Sequence, residues 1–220
     1  MGTAVGRQNR MSGVTMTGVE RGVANPPGME LLVGLPESYR PQLAAVFYEA
    51  FAAKLRPVVP SRARCQAILE QDLNGRQAIG AVAGDQLLGF AGLTQPGAPF
   101  CNFRLSTCTR VSGRLAGLVQ VLLFRLFLTS ARPGEVALDA LAVRRDRRGQ
   151  GIGSRLLRAT LDYARERGAR RVVLQVVDTN DGARRLYERF GFVPTGRHRY
   201  PLAAPFAGFS ATITMVRALG

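Results

Sequence analysis

The stretch Arg144–Ser154, RRDRRGQGIGS, decides how this chain folds. It joins an apolar run that ends at Val143 to an amphipathic run that predicts a helix. Its glycines, Gly149, Gly151 and Gly153, let the backbone turn tightly and approach a ligand closely. Exposed N–H groups and the positive end of the following helix create an anion site. The stretch therefore predicts a loop that binds a phosphate group.

Two common kinds of phosphate loop do not fit this pattern. A Walker loop ends in Gly-Lys-Ser/Thr, and the chain contains no such triplet. A dinucleotide fingerprint counted from Gly149 needs a sixth-position glycine, but Ser154 stands there. Asp178 imitates the ribose-binding acid of the dinucleotide fold, yet the loop lies two-thirds of the way along the chain instead of opening it. Both kinds of loop are therefore disfavoured.

The loop matches instead the pyrophosphate loop of the GNAT superfamily of acyl-CoA-dependent N-acetyltransferases, written Q/R-x-x-G-x-G/A. Its six positions here are Arg148, Gly149, Gln150, Gly151, Ile152 and Gly153. The surrounding LDALAVRRDRRGQGIGSRLL resembles motif A of that family, and VVLQVVDTNDGARRLYERFGFV resembles its motif B. Together the two motifs cover about residues 135–193, in the family's order and spacing.

The elements predicted around the two motifs follow the family's order. They are a strand at 29–34, helices at 43–55 and 61–73, a hairpin of 77–82 with 86–94, an apolar helix around 113–129, a strand at 135–143, a helix at 151–168, a strand at 171–178, a helix at 181–190, and strands near 192–200 and 208–217. Strand, helix, strand, helix with short connections indicates a crossover unit. The resemblance implies an α/β fold with a mixed, twisted, mostly antiparallel sheet, a parallel central pair and flanking helices. We expect residues 1–28 to be a flexible leader and 29–220 a single domain.

Composition limits the class of protein. The chain has 220 residues, 30 Lys and Arg against 15 Asp and Glu, and Lys54 is its single lysine. This length and composition fit one ordinary globular domain and exclude collagen, disulfide scaffolds and long coiled coils. The net charge of +15 favours anionic partners. Since many arginines alternate with acids instead of forming one basic face with interleaved aromatics, we do not expect a nucleic-acid partner.

The cysteines and the N-terminus indicate a reducing compartment. Cys65, Cys101 and Cys108 are odd in number, and neither they nor the single histidine, His198, have metal-ligand spacing. We therefore expect three reduced, buried thiols and no metal. No secretory signal is present in the first residues, so a cytoplasmic location is expected.

One apolar run, Leu115–Leu128, raises the question of membrane contact. It is too short to span a bilayer, and Gln120 and Arg125 interrupt it. We therefore expect a buried or groove-lining helix and no membrane partner. Residues 101–132, which include this helix, depart from the minimal pattern of the family. We therefore expect the helix either to line the acceptor pocket or to form the interface of a homodimer.

The resemblance implies acetyl-CoA as co-substrate and assigns its contacts. The strand before the loop would pair with the pantetheine arm through its backbone, at Leu141 and Val143. The pyrophosphate would be held by Arg148, Gly149, Gln150, Gly151, Ile152, Gly153 and Ser154. Asn180 matches the motif B asparagine that hydrogen-bonds the pantetheine arm or its neighbourhood, although asparagine also favours a helix N-cap. Arg184 or Arg189 would meet the 3′-phosphate, unless both belong to a solvated helix face.

The expected reaction is direct attack of a neutral amine on the acetyl carbonyl, since no Ser-His-Asp or Cys-His arrangement is apparent for a covalent intermediate. Tyr187 matches the tyrosine that donates a proton to the leaving thiolate. Asp139 is the expected base, because family members often carry a carboxylate on this strand. Regular alternation would place Asp139, Leu141 and Val143 on one face, which leaves a structural role for the carboxylate as the alternative. A backbone N–H near Leu141 or Ala142 would stabilise the oxyanion.

These assignments predict an N-acetyltransferase that moves an acetyl group from acetyl-CoA to a primary amine. Tyr48 and Glu49 are weaker candidates for the acceptor pocket, and His198 is a weaker candidate for the base. One alternative is a fold of this family that binds acyl-CoA as a sensor or regulator without turnover. A basic nucleic-acid-binding module is a second and less favoured alternative. The sequence does not choose among a protein α-amine, a lysine and a small amine as acceptor.

Overall fold

One mixed sheet organises the computed structural model, which describes residues 14–15, 28–125, 128–200 and 208–220. Within those ranges its strands are β1 Val14–Thr15, β2 Met29–Val33, β3 Ala78–Ala83, β4 Gln86–Thr94, β5 Glu135–Val143, β6 Arg171–Val177, β7 Val193–Arg199 and β8 Ala211–Ala218. They lie in the order β1-β2-β3-β4-β5-β6-β8-β7. All neighbours are antiparallel except β5 and β6, which are parallel. The predicted mixed sheet with a parallel central pair is therefore confirmed.

The helices form a layer on each face of the sheet. They are α1 Arg40–Leu55, α2 Arg62–Asp72, α3 Leu105–Ser112, α4 Arg114–Arg125, α5 Ile152–Glu166 and α6 Asp181–Arg189. Buried side chains of α1 to α4 share one apolar cluster with Phe90 and Ala140 of the sheet. Buried side chains of α5 and α6 share a second cluster with Leu138 and Leu174. Because β5 contributes to both clusters, it lies at the centre of the molecule.

The region after β4 differs from the prediction of one apolar helix at 113–129. The chain forms two helices there, α3 and α4, and α3 was missed. The break is at Gly113, whose φ of +89° lies in the region that favours glycine and ends α3. Residues 126 and 127, inside the predicted helix, lie outside the described residues.

Helix α4 has apolar side chains on two sides. Val121 and Phe124 are buried against the domain. Four large apolar residues at helical spacing are exposed instead: Leu115, Leu118, Val119 and Leu122. The expectation of a buried or groove-lining helix thus holds for one side only. No helix in the described part of the chain is long and apolar enough to cross a membrane.

The predicted leader is described only in part. Val14 and Thr15 pair with Val33 and Leu32, which places a two-residue strand at the edge of the sheet. Gly28 precedes β2. The other residues of the predicted leader lie outside the described residues.

All three cysteines are buried free thiols, as predicted. Burial raises the pKa of Cys65 to about 12 and that of Cys108 to about 11, so both stay protonated at neutral pH. Burial also raises the pKa of Cys101 well above its ordinary value. Among the residues that the structure describes, no group of three or more His, Cys, Asp or Glu side chains could hold a metal ion.

Candidate active site

The central parallel pair of strands separates part-way along its length. β5 and β6 are paired only from Glu135 with Arg171 to Leu138 with Leu174. Beyond that point β5 stays with β4, and β6 stays with β8. We call the space between β5 residues 139–143 and the end of β6 the wedge. Backbone groups on this edge of β5 have no strand partner in the described chain. Leu141 and Val143, the predicted pantetheine contacts, lie along it, and Ala142, a candidate oxyanion donor, lies between them.

The glycine loop lies at the mouth of the wedge, between β5 and α5. Gly149 and Gly151 have φ values of +78° and +77°, a conformation that other residues rarely adopt. Among the described residues, none of the N–H groups from 149 to 154 donates to a main-chain carbonyl. These donors and the positive end of α5 form an anion site. Arg148 lies beside it, and its Nε donates to the Val143 carbonyl at 3.2 Å.

The other predicted loop residues differ in exposure. Gln150 is exposed, Gly153 and Ser154 are half-buried, and Ile152 is buried in the α5 cluster. The buried isoleucine anchors the first turn of α5 in the core. Its neighbours are thereby held at the surface in a fixed position. The predicted loop residues 148–154 thus combine one packing residue with six that are exposed or half-buried.

Asp139 lies at a β-bulge in β5. Gly92 pairs with Ala140, whereas Leu93 pairs with Leu138, so Asp139 has no partner in the β4 register. Its side chain lines a cavity on the α1 face of the sheet. Leu141 and Val143 pack instead against the cluster that contains α5. The expectation that Asp139 shares a face with Leu141 and Val143 is therefore wrong, because the bulge interrupts the alternation.

One oxygen of the Asp139 carboxyl makes a well-formed hydrogen bond and the other does not, although two hydroxyls act on the group. Thr94 Oγ1 donates to Oδ2, and the same hydroxyl accepts from the Phe100 N–H at 2.9 Å. Oδ1 is buried and has no hydrogen-bond partner among the described residues. Burial raises the pKa of Asp139 to about 7, against the hydroxyls of Thr94 and Thr129, which lower it. The group can therefore gain or lose a proton close to neutral pH.

The cavity beside Asp139 is small and mostly apolar. It has a volume of about 80 Å³ and is lined by Phe47, Phe51, Lys54, Leu55, Cys101, Phe103, Phe124, Leu128 and Asp139. Lys54 also lines the cavity and is the basic residue of its lining, opposite in charge to the acidic Asp139. Its Nζ lies 5.8 Å from the centre of the Phe51 ring. Burial lowers the pKa of Lys54. Sequence reasoning missed Lys54 as a site residue, although its being the single lysine was a usable signal.

Tyr187 lies on the opposite face of the sheet from Asp139. It is buried in the cluster of α5 and α6, with its ring centre 5.9 Å from that of Phe192. Burial raises the pKa of its phenol to about 12, so the hydroxyl stays protonated at neutral pH and has a proton to donate. The two predicted catalytic residues, Tyr187 and Asp139, therefore belong to different layers, with β5 between them.

Asn180 and Arg184 already have partners within α6. Asn180 Oδ1 accepts from the Ala183 N–H at 3.1 Å, so the side chain caps the helix. Arg184 Nε donates to Glu188 at 2.9 Å in an exposed ion pair. Both residues are at the surface next to the end of β6. Their contacts with the cofactor stay predictions.

The weaker candidates do not line the cavity beside Asp139. Glu49 and Tyr48 line a second groove, of about 750 Å³, between α1 and the glycine loop. Tyr48 is buried there under the guanidinium of Arg62, at 5.4 Å from the ring centre. His198 is exposed on the edge strand β7, with its ring edge-on to Tyr200 at 4.6 Å. None of the three lines the cavity that contains Asp139.

Comparison with known proteins identifies this arrangement. A model described as the acetyltransferase (GNAT) family matches residues 43–192. The chain belongs to the GNAT acetyltransferase family. The resemblance inferred from the two motifs is thereby confirmed.

Relatives of this GNAT chain include enzymes with different acceptors in their names. N-alpha-acetyltransferase 30 of Schizosaccharomyces pombe is 43% identical over 63 residues, 28% of this chain and 42% of that protein. A probable spermine N(1)-acetyltransferase of Bacillus subtilis subsp. natto is 29% identical over 93 residues, 42% of this chain and 61% of that protein. The chain thus spans less than two thirds of the length of these relatives.

Solved structures share the fold of the GNAT chain. The crystal structure of an N-acetyltransferase from Staphylococcus aureus Mu50 has a TM-score of 0.59 and 12% sequence identity. The match covers 84% of this chain and 98% of that one. At this identity the likeness establishes the architecture alone.

Proposed function

We propose that this GNAT protein transfers an acetyl group from acetyl-CoA to a primary amine by direct attack. The observation that carries the proposal is the position of Asp139, at a bulge where β5 separates from β6 and beside a cavity. Its free Oδ1 is buried, and the pKa of the carboxyl is about 7. A general base works best when its pKa lies near the working pH.

The glycine loop fits the polyanionic cofactor. Its N–H groups from 149 to 154 lack main-chain acceptors, and Arg148 adds a positive charge beside them. When bound, acetyl-CoA would supply the activated thioester. Leu141 and Val143 would align the pantetheine arm through the backbone edge that faces the wedge, and Asn180 and Arg184 would border it.

The protein's own groups account for both proton transfers. Asp139 takes the proton that the acceptor amine loses as its nitrogen bonds to the acetyl carbon; an alkyl ammonium has a pKa near 10.4. The carbon–sulfur bond breaks, and Tyr187 donates a proton to the leaving thiolate. The N–H of Leu141 stabilises the oxyanion that forms between these steps. The other predicted donor, the N–H of Ala142, points at β4 instead, because Ala142 is in register with Phe90.

The names of the relatives support an amine acceptor but not one class of amine. One relative is named for α-amines and another for spermine. A sensor without turnover is the second candidate, and the buried carboxylate with a free oxygen favours catalysis over it. A cytoplasmic location stays a prediction, as does a homodimer, for which the exposed side of α4 is the candidate surface.

Calorimetric titration with acetyl-CoA tests the cofactor, with CoA, NAD and a short oligonucleotide as controls. We expect selective binding in the micromolar range. Gly151→Val should abolish it, whereas Gly168→Val, at a φ of +68° at the far end of α5, is the matched control for backbone strain. Binding that survives Gly151→Val would contradict the proposed phosphate loop.

An amine panel tests the reaction. Acetyl transfer to an α-amino peptide, a lysine peptide or a polyamine should fall by roughly 100-fold in Asp139→Asn. If acetyl-CoA binds and no amine is acetylated, the sensor is the better interpretation. A variant Asp139→Asn with full activity would remove the base from the mechanism.

A further inference from the structure

The cavity beside Asp139 contains the single lysine of the chain. The protein has 30 Lys and Arg residues, and Lys54 is the one lysine among them. An arginine at this place would supply the same positive charge. It would not supply a neutral amine, because a guanidinium does not lose its proton in proteins. Lys54 therefore places the one side-chain amine of the chain at this cavity.

The surroundings of Lys54 are those of an acceptor amine. Its Nζ lies 5.8 Å from the Phe51 ring centre and 5.4 Å from the Phe209 ring centre, so the amine is flanked by apolar surface. Burial lowers its pKa, which increases the neutral, nucleophilic fraction. Lys54 and Asp139 line the same cavity of about 80 Å³, a space for only a few heavy atoms. Within the described part of the chain, Lys54 and Asp139 do not form an ion pair at 4.0 Å or less.

We propose that Lys54 is a self-acetylation site: the protein transfers an acetyl group from acetyl-CoA to the Nζ of its own Lys54. This inference rests on the proposed function. The Nζ lone pair forms a bond to the acetyl carbon, and the carbon–sulfur bond of the thioester breaks. Asp139 takes the proton that Nζ loses, and the thiolate leaves as CoA after protonation. The products are Nε-acetyl-Lys54 and CoA, with no oxidant or further reactant.

The position of Lys54 on α1 makes this reaction geometrically reasonable. The helix packs over β4 and β5 on the face where the bulge presents Asp139. The acetyl group would arrive along the wedge, whose closed end is directly before Asp139. Lys54 therefore approaches that end from the same layer as the proposed base. Acetylation would remove its charge and leave a neutral group on the cavity wall.

Mass spectrometry of the purified full chain tests the proposal. Incubation with acetyl-CoA should add one acetyl group, and peptide mapping should place it on Lys54 and not on the N-terminal α-amine. The rate should be independent of protein concentration, because the acceptor is in the same molecule. In Asp139→Asn the rate should fall by roughly 100-fold, which separates catalysis from spontaneous acetylation. Lys54→Arg keeps the charge and should remain unmodified.

The outcomes separate this inference from the proposed function. If Lys54 stays unmodified while the same protein binds acetyl-CoA and acetylates an added amine, the inference is wrong and the proposed function stands. Equal acetylation rates in the wild type and Asp139→Asn would also overturn the inference. If the chain binds no acetyl-CoA by calorimetry, the proposed function fails and takes the inference with it. Peptide mapping of the wild type decides which residue is modified, so this part of the test does not depend on the folding of any variant.

Discussion

Thr94 donates its hydroxyl proton to Asp139 Oδ2, and it does so because its oxygen already accepts from the Phe100 N–H at 2.9 Å. The backbone donor leaves the hydroxyl proton free to point at the carboxylate. This contact holds one oxygen of Asp139 and leaves Oδ1 directed elsewhere, buried and without a partner in the described chain. Thr94 is thus a positioning residue for the proposed base.

Thr94→Val should raise the pKa of Asp139 further, because the hydroxyl lowers it by stabilising the carboxylate. The pH profile of kcat/KM should move to higher pH, and the rate below neutrality should fall. Thr94→Ser, which keeps the hydroxyl, is the matched control and should restore the wild-type profile. An unchanged profile in Thr94→Val would mean that another group sets the pH dependence.

The buried carboxyl of Asp139 should make stability fall as the pH rises. Its pKa in the folded protein, about 7, is above the ordinary value of 3.8, so the folded state binds the proton more tightly than the unfolded state. This contribution is fully present below pH of about 4 and is lost as the pH rises through about 7. Urea unfolding at pH 5 and pH 8 measures it.

The matched comparison for that experiment is Asp139→Asn, which cannot titrate. The wild type should lose more unfolding free energy than the variant between the two pH values, by on the order of 1–4 kcal/mol. Other ionisable groups contribute equally to both proteins and cancel in the difference. A difference of zero would show that Asp139 has an ordinary pKa.

Tyr187→Phe should lower kcat by roughly 100-fold without moving the pH profile below pH of about 9. Burial raises the pKa of the phenol to about 12, so the hydroxyl does not titrate in that range. Tyr163→Phe is the matched control, since Tyr163 is buried in the same cluster and its hydroxyl accepts from Gln95 at 2.8 Å. The control should lose about 1 kcal/mol of stability and keep its activity. Equal losses of kcat in both variants would reduce the role of Tyr187 to packing.

Glu135 should contribute to stability, because its side chain joins the first residues of the parallel strands β5 and β6. Its Oε1 accepts from Arg171 Nε at 2.7 Å, and Oε2 accepts from the Arg132 N–H at 3.0 Å. Burial alone would raise the pKa of Glu135, but these two donors hold it below its ordinary value. Glu135→Ala leaves both without their acceptor and should cost about 1–3 kcal/mol by urea unfolding. Asp162→Ala, which breaks the exposed pair with Arg165, should cost less than about 1 kcal/mol.

Sequence reasoning predicted the elements whose signals are local. The strand Glu135–Val143 was predicted with the bounds that the structure has, because an apolar run between turn residues suffices to define it. The conformation of Gly149 and Gly151 likewise follows from residue type and motif. These local features also determine the family, since all but the last residue of the two motifs lies within the matched region.

The features that sequence reasoning missed depend on contacts between distant segments. The bulge at Asp139 arises from the register with Gly92 and Leu93, which no pattern within β5 records. Helix α3 has a mixed sequence and is held by Asp72 of α2, which accepts from Thr107 at 2.9 Å. The place of Lys54 beside Asp139 follows from how α1 packs over the sheet. The cavity is therefore formed by contacts between segments far apart in sequence, which local residue preferences do not predict.

The bulge in β5 also determines how this strand tolerates changes of length. Up to Leu138 the even-numbered residues of β5 face the cluster that contains α5, and from Ala140 the odd-numbered residues do. Each half of the strand therefore contributes to the core independently. Deleting residue 139 would join the two halves into one regular strand, with every later side chain still on its present face. The carboxyl would vanish and the packing would survive. In β5 the reactive group occupies an inserted position, and a redesigned strand could exchange that one residue without repacking either layer.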